Sequence, residues 1–152
     1  MKGLLKSFVY AFNGIKNAVL TERNFRIHLT AIFFVLYFSF LYGLDSTQYG
    51  ILALILSIVP SLELINTAIE NAVNIKTEDY NEYAKTAKDS CAAAVLVAAI
   101  GSLGVAVSLF SDMEKLRNAI HTAITFPHLI ILVFAAVFLI YFIFFFGKKR
   151  DR

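Results

Sequence analysis

The chain has 152 residues, of which 59% are hydrophobic and 16% charged, with a mean hydropathy of +0.70 and a formal net charge of +3. That balance excludes an ordinary soluble domain, and the length leaves room for a few membrane spans but not for a separate soluble catalytic module. The single Cys91 excludes an internal disulfide and a multi-thiolate metal site, and nothing in the composition points to a nucleic-acid partner.

Residues 1–22 read as an amphipathic helix lying on the bilayer, because Leu4, Leu5, Phe8, Phe12, Ile15 and Val19 recur at helical spacing while Lys2, Lys6, Asn13 and Lys16 fall mostly elsewhere. A secretory signal is not expected, since Lys16, Glu22, Arg23 and Arg26 interrupt before any small-residue cleavage site. Glu22-Arg23-Asn24-Phe25-Arg26-Ile27-His28 then forms a polar knot at the entrance to the first span. Arg23 and Arg26 alone would serve as an interfacial anchor, which leaves Glu22 and His28 to be explained.

The first apolar run, Leu29 to Leu44, reaches spanning length with its flanks, and Tyr37 and Tyr42 are candidate interface aromatics. A loop without Lys or Arg follows at 45–50. The second span starts near Ile51 and meets Pro60 halfway, where the missing N–H frees one backbone carbonyl. Immediately beyond come two carboxylates and two amides, Glu63, Asn66, Glu70 and Asn74, in steps of 3, 4 and 4. That spacing puts all four along one helical face, with Glu63 about 10 Å along the axis from Glu70. An ionisable side chain inside a span is costly and points to a functional site; a buried polar seam that only holds helices together is the other reading.

Residues 75–90 carry charges of both signs and read as a water-exposed helix or helix extension, with Lys88-Asp89 directly against the third apolar run, Cys91 to Phe110. That run is rich in Ala, Gly and Ser, which predicts close packing rather than lipid exposure. A polar connection at 111–125 leads to a fourth apolar run, Phe126 to Phe146, which carries no charge and reads as a lipid-facing span, and to a basic tail. Lys and Arg number five before the first span, three at 75–90 and four in the tail, against none at 45–50 and two at 111–125. This distribution predicts both termini in the cytoplasm, with Glu22, Glu70, Lys88 and Asp89 near that surface and Glu63 deeper.

Carboxylates, an amide and a lysine gathered where a soluble reagent can meet a lipid head group suggest interfacial group transfer. Phosphoryl transfer needs Mg2+ on the phosphates, a cation against developing charge and a positioned acceptor hydroxyl. Mg2+ uses few protein carboxylates, so Glu22 and Glu70 would suffice, and Glu63 suits a carboxylate that orients or deprotonates a lipid hydroxyl. No phosphate-binding GxxxxGK[ST] loop and no protein-kinase signature is present. A non-catalytic assembly or lipid-binding subunit, or an ion-conducting bundle with Glu63 as its protonatable group, is the competing class.

Four segments carry a resemblance: Ser7-Phe8-Val9-Tyr10-Ala11-Phe12-Asn13-Gly14, Glu22 to His28, Glu63-Leu64-Ile65-Asn66-Thr67-Ala68-Ile69-Glu70, and Ala87-Lys88-Asp89 followed by Ala93-Ala94-Val95-Leu96. In this order they resemble the small bacterial membrane lipid kinases that include diacylglycerol kinase and undecaprenol kinase, over about residues 7–110. The resemblance implies an all-α integral membrane protein with a surface helix and a three-span core over 1–110. Residues 111–152 then add a polar connection, a fourth transmembrane helix and a cytoplasmic tail. It also implies a homotrimer in the bacterial cell membrane, with composite sites that phosphorylate a lipid alcohol from MgATP. By position, Glu63 matches the catalytic base, Asn66 the amide beside the reacting groups, and Glu22 and Glu70 the metal carboxylates. Tyr10, Lys88 and Asp89 match nucleotide contacts, Asp79-Tyr80-Asn81 the equivalent loop, and Phe25, Arg26 and His28 border the lipid head group with Glu63. The form of the Glu22 to His28 segment is similar to undecaprenol kinases of Gram-positive type, which favours a polyprenol over diacylglycerol. Asn74 departs from the resemblance, standing where the family usually has Asp.

Overall fold

The computed structural model describes residues 2–76 and 81–147. Six helices form among them, and no strand.

Helix α1, Lys2–Thr21, leaves Leu4, Leu5, Phe8 and Phe12 exposed, so its apolar stripe is not covered by the rest of the chain, as a helix lying on a bilayer requires. Glu22 is extended, with φ −103° and ψ 112°, and turns the chain directly into α2, Arg23–Tyr42. The first membrane helix therefore begins six residues before the apolar run, and the polar knot forms its first two turns. Helix α2 stops at Gly43, whose φ of 74° lets its N–H return to the Ser39 carbonyl at 3.0 Å. Tyr42, expected as a candidate interface aromatic, ends α2 with its ring turned into the protein. It is buried among Phe38, Leu44, Leu52 and Phe110, and its hydroxyl accepts the Asp112 N–H at 3.0 Å.

Helix α3, Ser46–Lys76, runs through Pro60 as a 31-residue element. At 1.5 Å per residue it is about 46 Å long, well beyond a hydrocarbon core of roughly 30 Å, so one of its ends must stand in the interface. Helix α4, Glu82–Leu109, packs back along it. Asn81 caps α4 by accepting from the Tyr83 and Ala84 N–H groups at 2.9 and 3.1 Å.

The expected close packing of the third apolar run holds only toward α3. Leu96, Val97, Ile100, Leu103 and Val107 are exposed in the single chain, and a Cβ added at Gly101 or Gly104 would meet open space.

The polar connection is itself a helix, α5, Met113–Ile124, with Asp112 accepting from the Glu114 and Lys115 N–H groups at 3.0 and 3.1 Å. Its Ala119 is buried against the Tyr42, Leu44, Leu52 and Leu109 cluster, closing that end of the bundle. Helix α6, His128–Phe144, covers the uncharged run and bends by 77° from α5. Helices α2, α3 and α4 are each long and apolar enough to cross a membrane, and α5 with α6 makes a fourth such unit only as a bent pair. Helix α6 lies antiparallel along α2, with Tyr37 Oη and His128 Nδ1 sharing a 2.7 Å hydrogen bond at one end and Arg26 Nε reaching the Ile143 carbonyl at 3.2 Å at the other. The basic tail and residues 77–80 lie outside the described residues.

Candidate active site

The helical spacing of α3 delivers the polar face that the sequence predicts. Glu63, Asn66 and Thr67 are buried, with Glu63 4% and Asn66 8% exposed, and Glu70 is half-buried one turn further on. Asn66 Nδ2 donates to Glu70 Oε1 at 3.1 Å, which aims that carboxylate along the helix. The other end of the same amide, Asn66 Oδ1, is buried and accepts nothing among the described residues. A buried acceptor without a donor is costly unless a ligand supplies one.

The α1–α2 corner brings the second half of the site. Because Glu22 is extended and α2 starts immediately after it, Glu22 and Asn24 reach α3. The Asn24 side chain is within hydrogen-bonding reach of the Glu63 carboxyl, and both Glu22 and Glu70 are close enough to act on that group electrostatically. Glu22 is steadied in turn by Thr21, whose hydroxyl donates to Oε1 at 3.0 Å. Glu63, Asn66, Glu70 and Glu22 thus come together as expected. Asn24 joins this cluster as well, although the sequence marks it only as part of the polar knot, two residues from Glu22. Among the described residues no three carboxylate, imidazole or thiol groups gather at metal-binding distance.

The other predicted residues divide. Lys88 belongs to this end of the bundle, its Nζ donating to Asn74 Oδ1 at 2.7 Å one turn beyond Glu70. Asp89 is on the exposed side of α4, where Lys85 Nζ holds it at 2.8 Å. Tyr10 projects from α1 and is 70% exposed, and Asn81 is engaged as the α4 cap. Asp79 and Tyr80 lie outside the described residues. Phe25 is buried beside the corner, while Arg26 is turned to the backbone of α1 and α6, donating to the Val19 carbonyl at 2.9 Å and to Ile143.

His28 faces a different feature. With Leu52, Val59, Pro60, Ala99 and Leu103 it lines a largely apolar cavity of about 260 Å3 between α2, α3 and α4. Pro60 precedes Glu63 by three residues, so the cavity opens about one turn from the buried carboxylate. A second hollow of about 390 Å3 lies between α1 and α3, lined by Gly14, Ala18, Leu64, Thr67 and Asn71 among others.

Residues 9–110 match the family described as prokaryotic diacylglycerol kinase. The chain belongs to that family. It is 42% identical over 105 residues to an undecaprenol kinase of Bacillus subtilis, an alignment covering 69% of this chain and 85% of that protein. It is 44% identical over 101 residues to a diacylglycerol kinase of Synechocystis, covering 66% of this chain and 58% of that protein. A diacylglycerol kinase of Escherichia coli is 29% identical over 97 residues, covering 64% of this chain and 80% of that protein. No solved structure matches the chain. As a member of the prokaryotic diacylglycerol kinase family the protein is a lipid kinase, a membrane-bound phosphotransferase. The family match takes in α2, α3 and α4 and ends at Phe110, so both halves of the site fall inside it while α5 and α6 lie outside.

Proposed function

We propose that this lipid kinase transfers the γ-phosphoryl group of ATP to the hydroxyl of undecaprenol, with Glu63 as the base. The observation that carries the reading is the burial of Glu63 beside Asn24 with Glu22 and Glu70 close by, a density of carboxylates that a helix seam alone does not call for.

In this reading the lipid hydroxyl sits against Glu63, which Asn24 keeps in one orientation. The hydroxyl oxygen attacks the γ-phosphorus, the bond from that phosphorus to the β,γ-bridging oxygen breaks, ADP leaves, and the hydroxyl proton passes to Glu63. Asn66 holds Glu70 in place through its amide nitrogen and offers its unpaired oxygen to the reacting groups. Lys88 supplies a point charge for the nucleotide phosphates, and Tyr10, Asp89 and the 79–81 loop are assigned to nucleotide contact on the resemblance alone.

The donors at this end are hard oxygens, and a pair of carboxylates rather than a cage suits Mg2+, which keeps phosphates and waters as its other ligands. Glu22 and Glu70 would hold it, and the ion would neutralise charge on the phosphate oxygens. Phe25 and His28 border the acceptor, and the apolar cavity beside His28 offers cover for the first part of its chain.

Undecaprenol is favoured by the form of the Glu22 to His28 segment and by the name of the Bacillus relative; the diacylglycerol kinase of Synechocystis, at similar identity, supports diacylglycerol as the second reading. We further propose a homotrimer in the bacterial cell membrane with both termini in the cytoplasm. The apolar face of α4 that its own chain leaves exposed supports the association. The test is phosphate transfer from labelled MgATP to each lipid in mixed micelles, comparing wild type with Glu63→Gln. Product that disappears in the variant is expected, and the ratio of the two lipids identifies the acceptor. No product with either lipid from folded protein would overturn the proposal.

A further inference from the structure

Helix α6 lies outside the residues that match the family, yet its end is built into the corner that carries half of the site. The last carbonyls of any helix lack intrahelical partners and form the negative end of its dipole. Arg26, 7% exposed, serves two such ends at once. Its Nη1 donates to Val19 in the last turn of α1 at 2.9 Å, and its Nε donates to Ile143 in the last turn of α6 at 3.2 Å. Glu22 is near enough to contribute to the electrostatics of the same guanidinium. The chain leaving α6 then passes so close that a Cβ on Gly147 would stand 2.6 Å from the Leu20 carbonyl oxygen and 2.8 Å from Arg26 Nη1. Only glycine fits there without displacing the guanidinium or the α1 backbone. At its other end α6 is held to α2 by the Tyr37–His128 hydrogen bond.

The geometry points to α6 as a positioning strap for the active site. By engaging Arg26 and closing over it at Gly147, it fixes the α1–α2 corner and so holds Glu22 and Asn24 against Glu63. Arg26 is then a positioning residue acting through the corner, not a contact to the lipid head group. This inference rests on the reading of Glu22, Asn24 and Glu63 as the reacting centre.

The experiment uses full-length protein in micelles and compares wild type with Gly147→Val, Arg26→Gln and Arg26→Lys. It measures amide hydrogen exchange over residues 17–28, and kcat and KM with the better lipid acceptor. Gly147→Val and Arg26→Gln are expected to speed exchange across the corner while leaving residues 50–62 of α3 unchanged. Both should lower kcat about tenfold with KM for ATP unchanged, the effect of a small misplacement of reacting groups. Arg26→Lys, which keeps a donor at the site, should recover part of both losses. If Gly147→Val does not fold, the two Arg26 variants carry the same comparison. Unchanged exchange at 17–28 would overturn the strap, and faster exchange with unchanged kcat would overturn its role in positioning. A wild type inactive on both lipids would instead sink the reading of the reacting centre, and would be seen before any variant is compared.

Discussion

Lys88 Nζ donates to Asn74 Oδ1 at 2.7 Å, so this lysine meets the polar face of α3 through a neutral amide. A neutral partner orients the ammonium without cancelling its charge, which leaves the charge available to a phosphate. Replacing it by Lys88→Met is expected to raise KM for ATP by about ten- to a hundredfold, the equivalent of one charge-assisted hydrogen bond. Steady-state rates against ATP at saturating lipid measure this, and an unchanged KM would remove Lys88 from the nucleotide site.

Asn74 lies one turn from Glu70 on the same face, so Asn74→Asp adds a charge at the end assigned to Mg2+. The variant should reach half-maximal rate at about threefold lower free Mg2+, since an exposed charge contributes under about 1 kcal/mol. A titration of rate against Mg2+ at fixed ATP checks the direction; a higher requirement would mean that the new carboxylate mainly holds Lys88 back.

Glu63 is nearly inaccessible and lies close to two other carboxylates, an arrangement that favours function over stability. Glu63→Gln keeps the shape and removes the ionisable group from a buried position. The expected outcome is a loss of kcat of about a hundred- to ten-thousandfold, the range for a general base, together with a melting temperature that is unchanged or higher. Loss of activity with a large drop in melting temperature would make Glu63 a structural residue instead.

Asn24 reaches Glu63 from the other side of the site. Asn24→Ala removes the group that orients the carboxylate and should lower kcat roughly thirtyfold with both KM values nearly constant, corresponding to about 1–3 kcal/mol for a buried acceptor left without its donor. A change confined to KM for the lipid would place Asn24 in acceptor binding.

What could be read in advance, and what could not, follows from the kind of signal each feature leaves. Glu63, Asn66 and Glu70 stood out because polar residues at helical spacing in an apolar run have few structural explanations. The start of α2 at Arg23 was hidden because residues 23–28 are largely polar and yet helical, and hydropathy locates lipid-compatible residues, not helix ends. Helix α5 was masked in the same way, although Asp112 ahead of Glu114 and Lys115 was a usable cap signal. Two ties had no sequence signal at all. Arg26 reaches a backbone carbonyl 117 residues away, which any residue type would offer, and Tyr37 meets His128 across 91 residues. The small residues of α4 predicted a packed helix, but small size says only that a neighbour can approach, and the neighbour within this chain covers one side alone.

The cavity near Glu63 gives a prediction that separates acceptor binding from nucleotide binding. Helix α4 lines it with the small residues Ala99, Ser102 and Ala106, facing Val59 and Pro60 of α3 and His28 of α2. If the proximal part of the lipid chain occupies this space, filling it competes directly with substrate. Ala106→Leu adds three heavy atoms into a volume of about 260 Å3, enough to obstruct a chain without overfilling the bundle. The variant should raise KM for the lipid by about tenfold, roughly the value of one or two excluded methylenes. KM for ATP should stay constant, because Lys88 and Asn74 are not among the residues that line the cavity. A shortened acceptor, with fewer isoprene units or acyl carbons, would be less affected if the cavity held a distal part of the chain. Equal inhibition with long and short acceptors would fit a chain buried from its first carbons, whereas an unchanged KM for every acceptor would assign the cavity to helix packing and direct the search to the hollow between α1 and α3.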